Sequence, residues 1–410
     1  MQVEEDVPDI LPTQRHLFEV PDGVCYLNCA FMSPLLRSVR EIGQAAVQRK
    51  SEPWRIKPAD FFTETEIARA RFAALIAADP DDVALVPSTT YGISTAARAL
   101  PVGPQDTILV LAGEFPSNYY PWARLAEEVG ARVRMVERPA DHDWTSAVLE
   151  QIDPAVRVIA VPPCRWDDGA ILDVASIGRT CRRREIALVL DATQSVGALP
   201  LSMREIDPDF LVAATYKWLL GPYSYGFLYA AKRRQQARPL EEVWFSREGA
   251  SDFRRLAEYT ATYQGGARRF DTGERNNPIL LPMTIRALDQ IAAWGVPAVA
   301  RTLGRITATA AKRLAALGCQ VVPAARRAPH LLGVQLPSGA PPDLLEALAS
   351  RQIHVSMRGR CLRIAPHLHV TAQDMERFLT VIEEHLHGRK PRADRPHTAE
   401  EPGCPSISPG

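Results

Sequence analysis

The chain has 410 residues, and its 48 Lys and Arg balance 48 Asp and Glu, so the formal charge is zero. That balance excludes the basic excess of a dedicated nucleic-acid or anionic-membrane binder. With 46% hydrophobic and 23% charged residues, it reads as an ordinary globular protein too long for one small core.

The seven cysteines contain no CxxC pair, and nothing near Cys25 and Cys29 completes a metal site, which suits a reduced, cytoplasmic compartment. The first residues are acidic (Glu4, Glu5, Asp6), and no apolar run approaches the roughly 18 residues of a membrane span. Neither a targeting segment nor a membrane anchor is expected.

From about Val83 to Ala230, short apolar runs alternate with segments of helical period. The runs are VALVPS, TILVLA, RVRMVE, VRVIAV, IALVLD, DFLVAA and YGFLYA. Between them lie stretches such as SNYYPWARLAEEVG and VASIGRTCRRRE, whose apolar spacing suits amphipathic helices. Runs so rich in Val, Ile and Leu are what a parallel sheet buried on both faces requires. The expectation is an α/β fold with a large, doubly wound, mainly parallel sheet.

After residue 284 the Ala-rich stretches TIRALDQIAAWG and TLGRITATAAKRLAAL precede shorter strand candidates at CQVVPA, HLLGVQL, IHVSMRG and CLRIAP, and a helix from about Ala372 to His387. This predicts a smaller C-terminal α+β domain. The expected divisions are an N-terminal segment over 1–30, the large domain over 31–285, the small domain over 286–387 and a disordered, Pro-rich tail over 388–410.

Lys217 directly follows the run DFLVAA, flanked by Tyr216 and Trp218. Alone it reads as a surface lysine; at the carboxyl edge of such a sheet, where ligands bind, it is a candidate for a Schiff base with an aldehyde cofactor. Asp191 ends the run IALVL, so its carboxylate leaves a dry interior and needs a positive partner. It reads either as a helix cap or as the acid that keeps a pyridinium nitrogen protonated, with Gln194 placed to donate to the same ring's phenolic oxygen. Ser88, Thr89 and Thr90 open a helix after the first run, an arrangement suited to capping or to an anion. Phe115 follows the next run, as a core residue or as a ring stacked on a planar cofactor. Neither a P-loop nor GxGxxG is present.

DATQSVG, ATYKWLLGPYSYGFLY, EFPSNYYPW, RRFDTGERNNP and CLRIAPHLHVT together resemble the class V aminotransferase group of fold type I enzymes dependent on pyridoxal 5'-phosphate (PLP), a group that includes cysteine desulfurases, kynureninase and isopenicillin N epimerase-like proteins. The resemblance runs from about Tyr26 to His387. It implies that Lys217 carries the internal aldimine, Asp191 pairs with the ring nitrogen, Gln194 with the phenolic oxygen, and Phe115 stacks on the ring. Thr89 and Thr90 would hold the phosphate, with Thr215 supplying a hydroxyl where Ala214 replaces a common serine. Arg363 matches the arginine that clamps the substrate's α-carboxylate, and Asn28 lies in a segment near the substrate. Relatives form homodimers with shared sites, so Arg275 and Asn276 are expected to reach toward the partner's phosphate, although Glu274 replaces the desulfurases' threonine.

The resemblance further implies chemistry at the α-carbon of an amino acid, with the released Lys217 amine as base. Transamination is favoured, with β-elimination or epimerisation as alternatives on the same residues. Phe115 stands where desulfurases place a histidine, and Cys361 lies in an apparent strand, both of which count against a cysteine desulfurase. Arg165, in CRWDDG, either recognises an acidic substrate side chain or pairs with Asp167 or Asp168. A catalytically silent binding protein and a metal hydrolase built on His367 and His369 are the more distant readings.

Overall fold

Seven of the apolar runs pair edge to edge into one sheet. The computed structural model describes residues 9–337 and 341–387. In chain order its strands are β1 (Cys25–Tyr26), β2 (Val83–Val86), β3 (Thr107–Leu111), β4 (Arg132–Val136), β5 (Val156–Val161), β6 (Ala187–Asp191) and β7 (Phe210–Ala214). They continue with β8 (Gly226–Ala230), β9 (Gln320–Val321), β10 (Leu332–Gln335), β11 (Ile353–His354), β12 (Ser356–Arg358) and β13 (Cys361–Ile364). The large sheet has the order β2-β8-β7-β6-β5-β3-β4, and β8 alone runs antiparallel to its neighbours.

Side chains alternate between two buried faces, as a strand's period of two demands. On β6, Leu188 and Leu190 join one apolar core, while Ala187 and Val189 join another on the opposite face. The edge strand β4 departs most, with Met135 exposed, and Arg157 at the start of β5 is exposed as well. Helices return the chain between the parallel strands, among them Thr89–Ala99, Tyr120–Val129 and Val174–Arg184. Their ends follow ordinary capping chemistry: the Asp173 carboxylate accepts from the Ser176 N–H, and Gly130, at φ 77°, terminates Tyr120–Val129 in the left-handed conformation.

A second, antiparallel sheet of order β12-β13-β10-β9 packs its apolar face against the helices Val296–Ala316 and Ala372–His387. The run IHVSMRG, read as one strand from sequence, divides in two. β11 pairs in parallel with β1 from the N-terminal segment, and β12 pairs antiparallel with β13. Two helices absent from the sequence reading, Arg37–Lys50 and Asp60–Leu75, pack beside Leu280–Trp294. Asp60–Leu75 buries Arg69 and Thr65 on the same face as Phe72, which breaks the apolar period that would have revealed it. The boundary expected at 285 falls inside the unbroken helix Leu280–Trp294. The expected disordered tail, 388–410, lies outside the described residues.

Candidate active site

Strands β2, β3, β5, β6 and β7 end at one edge of the large sheet, and β8 begins there. Their loops enclose a crevice of about 220 Å³. Ser88, Thr89 and Thr90 line it after β2, Phe115 after β3, Asp191 and Gln194 after β6, and Lys217 after β7. An open α/β sheet binds its ligands at this edge.

The loop that presents Lys217 is held under backbone strain. Leu220 and Ser224 take φ values of 55° and 62°, in the left-handed region that side chains of this size seldom occupy. The Leu220 N–H donates to the Lys217 carbonyl and the Gly221 N–H to that of Thr215, closing the turn. Lys217 is 6% exposed, and its Nζ lies 5.5 Å from the centroids of both Phe115 and Tyr216. Burial pushes its ammonium down to about 8, with Asp191 opposing the shift and the guanidiniums of Arg363 and Arg358 adding to it.

Asp191 is buried, and its Oδ1 accepts the Thr193 N–H at 3.0 Å. Burial raises its carboxyl above the usual range against the opposing pull of Thr193 and Lys217, so desolvation outweighs the attraction between acid and amine. The helix Thr89–Ala99 brings its N-terminus to the same crevice, capped by Ser88, whose Oγ accepts the Tyr91 N–H at 3.1 Å. Thr89 and Thr193 share a hydrogen bond of 2.8 Å, and the Thr90 hydroxyl donates to Ser117 at 2.8 Å. Gly92 allows this placement, since a Cβ there would lie 2.6 Å from Val212 Cγ1 on β7.

Gln194 is fixed on three sides. Its Nε2 donates to the Ala30 carbonyl at 2.9 Å, its Oε1 accepts from Trp218 Nε1 at 2.8 Å, and its own carbonyl accepts from His330 Nε2 at 2.6 Å. Arg363 lies buried behind the crevice wall. Its Nη1 donates to the carbonyl of Trp166, a lining residue, and its Nε to Ser356 Oγ, which donates in turn to Asn28 Oδ1. The Nη2 of Arg363 has no partner, and burial together with Arg358 pushes the guanidinium down to about 10.

Asn28, Arg165, Thr215, Arg275, Asn276 and Arg363 do not line the crevice. The Thr215 hydroxyl turns inward, donating to the Pro222 carbonyl at 2.6 Å beside the Tyr225 carbonyl at 3.0 Å. Arg275 is buried in its own chain, donating to Asp271 at 2.6 Å, an acid that Arg69 also grips through both oxygens. Asn276 is half-buried outside the lining. Arg165 takes the structural alternative: it forks onto Asp167 at 3.0 and 2.9 Å and donates to the Ala112 and Gly113 carbonyls. His367 and His369 pack among Phe18, Trp218 and Trp294, and no group of three metal-ligating side chains occurs among the described residues. Among those residues, no helix is long and apolar enough to cross a membrane.

Sequence reasoning missed Thr193 and Glu114, which also line the crevice. Glu114 is half-buried, its Oε2 is out of reach of solvent and unpartnered, and burial pushes its carboxyl up to about 8. Its one sequence signal was its place beside Phe115.

The family model described as Aminotransferase class-V matches residues 47–378. An uncharacterised aminotransferase, YcbU, from Bacillus subtilis is 26% identical over 370 residues, covering 86% of this chain and 91% of that protein. The isopenicillin N epimerase of Streptomyces clavuligerus is 30% identical over 182 residues, 43% of this chain and 46% of the epimerase. Among solved structures, a lysine-to-alanine mutant of C-DES with glycine covalently linked to its PLP cofactor superposes with a TM-score of 0.80 at 20% identity, covering 89% of this chain and 98% of that one. The Escherichia coli cysteine desulfurase CsdA gives 0.76 at 19% identity, covering 91% and 97%.

Proposed function

We propose, for a chain that belongs to the class V aminotransferase family, that Lys217 bonds reversibly to the aldehyde of PLP and that the enzyme transfers the amino group of an amino acid. The convergence of Lys217 and Asp191 on one crevice, both buried and both shifted toward neutrality by that burial, carries this reading. The donor set fits the cofactor. An anion-binding helix N-terminus at Ser88–Thr90 suits a phosphate, Phe115 offers a ring face, and Asp191 is a buried acid with no ion-pair partner within 4 Å among the described residues. When bound, the cofactor supplies an electron sink for the pair left as a bond at the α-carbon breaks.

The chain's own residues do the rest. Lys217, depressed to about 8, is partly neutral near pH 7 and serves as nucleophile and then as base at the α-carbon. Arg363 offers a planar fork, with a free Nη2, to the substrate's α-carboxylate. Phe115 and Trp166, edge to face at 5.4 Å, shield the wall of the crevice from water. Cys361 sits buried in β13 with its thiol pushed up to about 12, the opposite of a nucleophilic sulfur.

One observation favours a second reading, a β-eliminating lyase: the protonated Glu114 in the crevice wall is an acid of the kind a departing group needs. Purified protein should develop a visible absorption band on addition of PLP, and Lys217→Ala should abolish it. Keto acid formed only with an amino acceptor supports the transferase; pyruvate and ammonia released without one support the lyase.

A homodimer in a reduced, cytoplasmic setting belongs to the same proposal. The exposed Trp54, Trp244 and Tyr259 support the dimer, with Trp244 packed on Phe62 and Phe245, the rings that flank Arg275. The free cysteines among the described residues, all buried, suit the location.

A further inference from the structure

We propose that the substrate is an acidic amino acid, its side chain ending in a second carboxylate, and that Arg358 receives that group while Arg363 holds the α-carboxylate. This rests on the PLP reading above and extends it to substrate class.

The β12–β13 hairpin sets the geometry. Ser356 lies opposite Arg363, and Arg358 opposite Cys361. Residues two apart on a strand share a face, so Arg358 and Arg363 are diagonal neighbours, about 7–8 Å apart at the backbone. Arg363 touches the crevice wall through the Trp166 carbonyl, and Arg358 stands next to it on the same face of the hairpin, which sets the pair behind that wall.

Among the described residues no carboxylate lies within 4 Å of either guanidinium, although Asp167 acts on Arg363 from a distance. Arg358 donates only to the Met357 carbonyl, and Arg363 only to Ser356 and the Trp166 carbonyl. The neighbouring cation Arg165 behaves differently, since Asp167 already pairs its charge and two carbonyls hold it in place. Two adjacent guanidiniums without a contacting carboxylate repel each other, a cost that bound anions would relieve. A single α-carboxylate occupies one fork. The other is left for a second anion carried on the same small molecule, and a four- or five-carbon diacid is the smallest common amino-acid skeleton that carries two.

The test uses the PLP-loaded enzyme and probes without an amine, titrated by calorimetry: succinate and glutarate against propionate and butyrate. The dicarboxylates should bind at least tenfold more tightly than the monocarboxylates. Arg358→Gln should bring that ratio close to one, Arg358→Lys should restore part of it, and Arg363→Gln should weaken both classes. Equal affinity for the two classes in the native enzyme, or a ratio unchanged by Arg358→Gln in protein of native melting temperature, overturns the proposal. Failure of the PLP reading itself is separate, because it shows as a missing visible band before any diacid is added.

Discussion

Trp218 Nε1 donates to Gln194 Oε1 at 2.8 Å, joining the residue after Lys217 to the residue three beyond Asp191. Two loops from neighbouring strands are thereby locked together across the floor of the crevice. Trp218 is itself fully buried and packs edge to face on His330 at 4.4 Å. Replacing Trp218 with Phe keeps most of that packing but leaves the Gln194 oxygen buried without a donor. Such an orphan costs about 1–3 kcal/mol, felt wherever Gln194 is required to hold its place. PLP should therefore dissociate about tenfold more readily from Trp218→Phe, read by the loss of the visible band on dilution. Unchanged retention would show that the indole donor has no part in ordering the site.

Gly92 makes a second prediction. The helix carrying Ser88–Thr90 can approach β7 because nothing projects from Gly92, where a Cβ would meet Val212 Cγ1 at 2.6 Å and Cγ2 at 2.8 Å. Val212 is a stiff, buried side chain and cannot swing aside. Gly92→Ala should cost about 1–3 kcal/mol by overpacking, although alanine is the better helix former. Urea denaturation measures the loss. Gly92→Ala with Val212→Ala should recover much of it, since the second substitution removes both clashing methyl groups.

The Lys217 amine sets a pH dependence. A lysine attacks an aldehyde only when neutral, and burial has brought this one from the ordinary 10.5 to about 8. The rate of PLP loading should therefore climb as pH rises through about 8 and level off above 9, rather than rising on toward 10.5. Asp191 raises the lysine's proton affinity, so Asp191→Asn should move the midpoint toward acid. Stopped-flow absorbance on cofactor-free protein gives both profiles.

Much of this crevice is legible in the chain because each apolar run ends in a residue that strand geometry must deliver to one edge. That logic locates Ser88, Phe115, Asp191 and Lys217 without knowledge of tertiary contacts. It fails where a side chain's direction is decided from far away. Thr215 lies next to the crevice in sequence, yet two backbone carbonyls from the returning chain capture its hydroxyl. Arg275 looks free in RRFDTGERNNP, but Arg69, on a distant helix, helps to organise the acid that holds it. Glu114 reads as a polar loop residue; only its place in the crevice wall desolvates its carboxyl. Two arginines divide in the same way: Arg165 lies in a conspicuous acidic motif that pairs it, and Arg358 in an inconspicuous hairpin that does not.

His367 gives the last prediction. It is wholly buried among Phe18, Trp218 and Trp294, and neither ring nitrogen has a hydrogen-bond partner in the described structure. Burial, with His369 and His330 nearby, pushes its imidazolium down to about 3 from the ordinary 6.5. The unfolded chain therefore takes up a proton on this residue below pH 6.5, and the folded chain does not until much more acid conditions. Stability consequently falls as pH drops through that window, by roughly 1.4 kcal/mol per pH unit for one such group. Glu114, raised to about 8, binds its proton more tightly in the folded state and works in the opposite direction over part of the same range. Comparison with a variant isolates the histidine from that opposing term. Between pH 7.5 and 5.0 the native protein should lose roughly 2 kcal/mol more than His367→Leu, as read from urea midpoints and m-values at each pH. Parallel stability profiles for the two proteins would mean that His367 is already protonated, or hydrated, in the folded state.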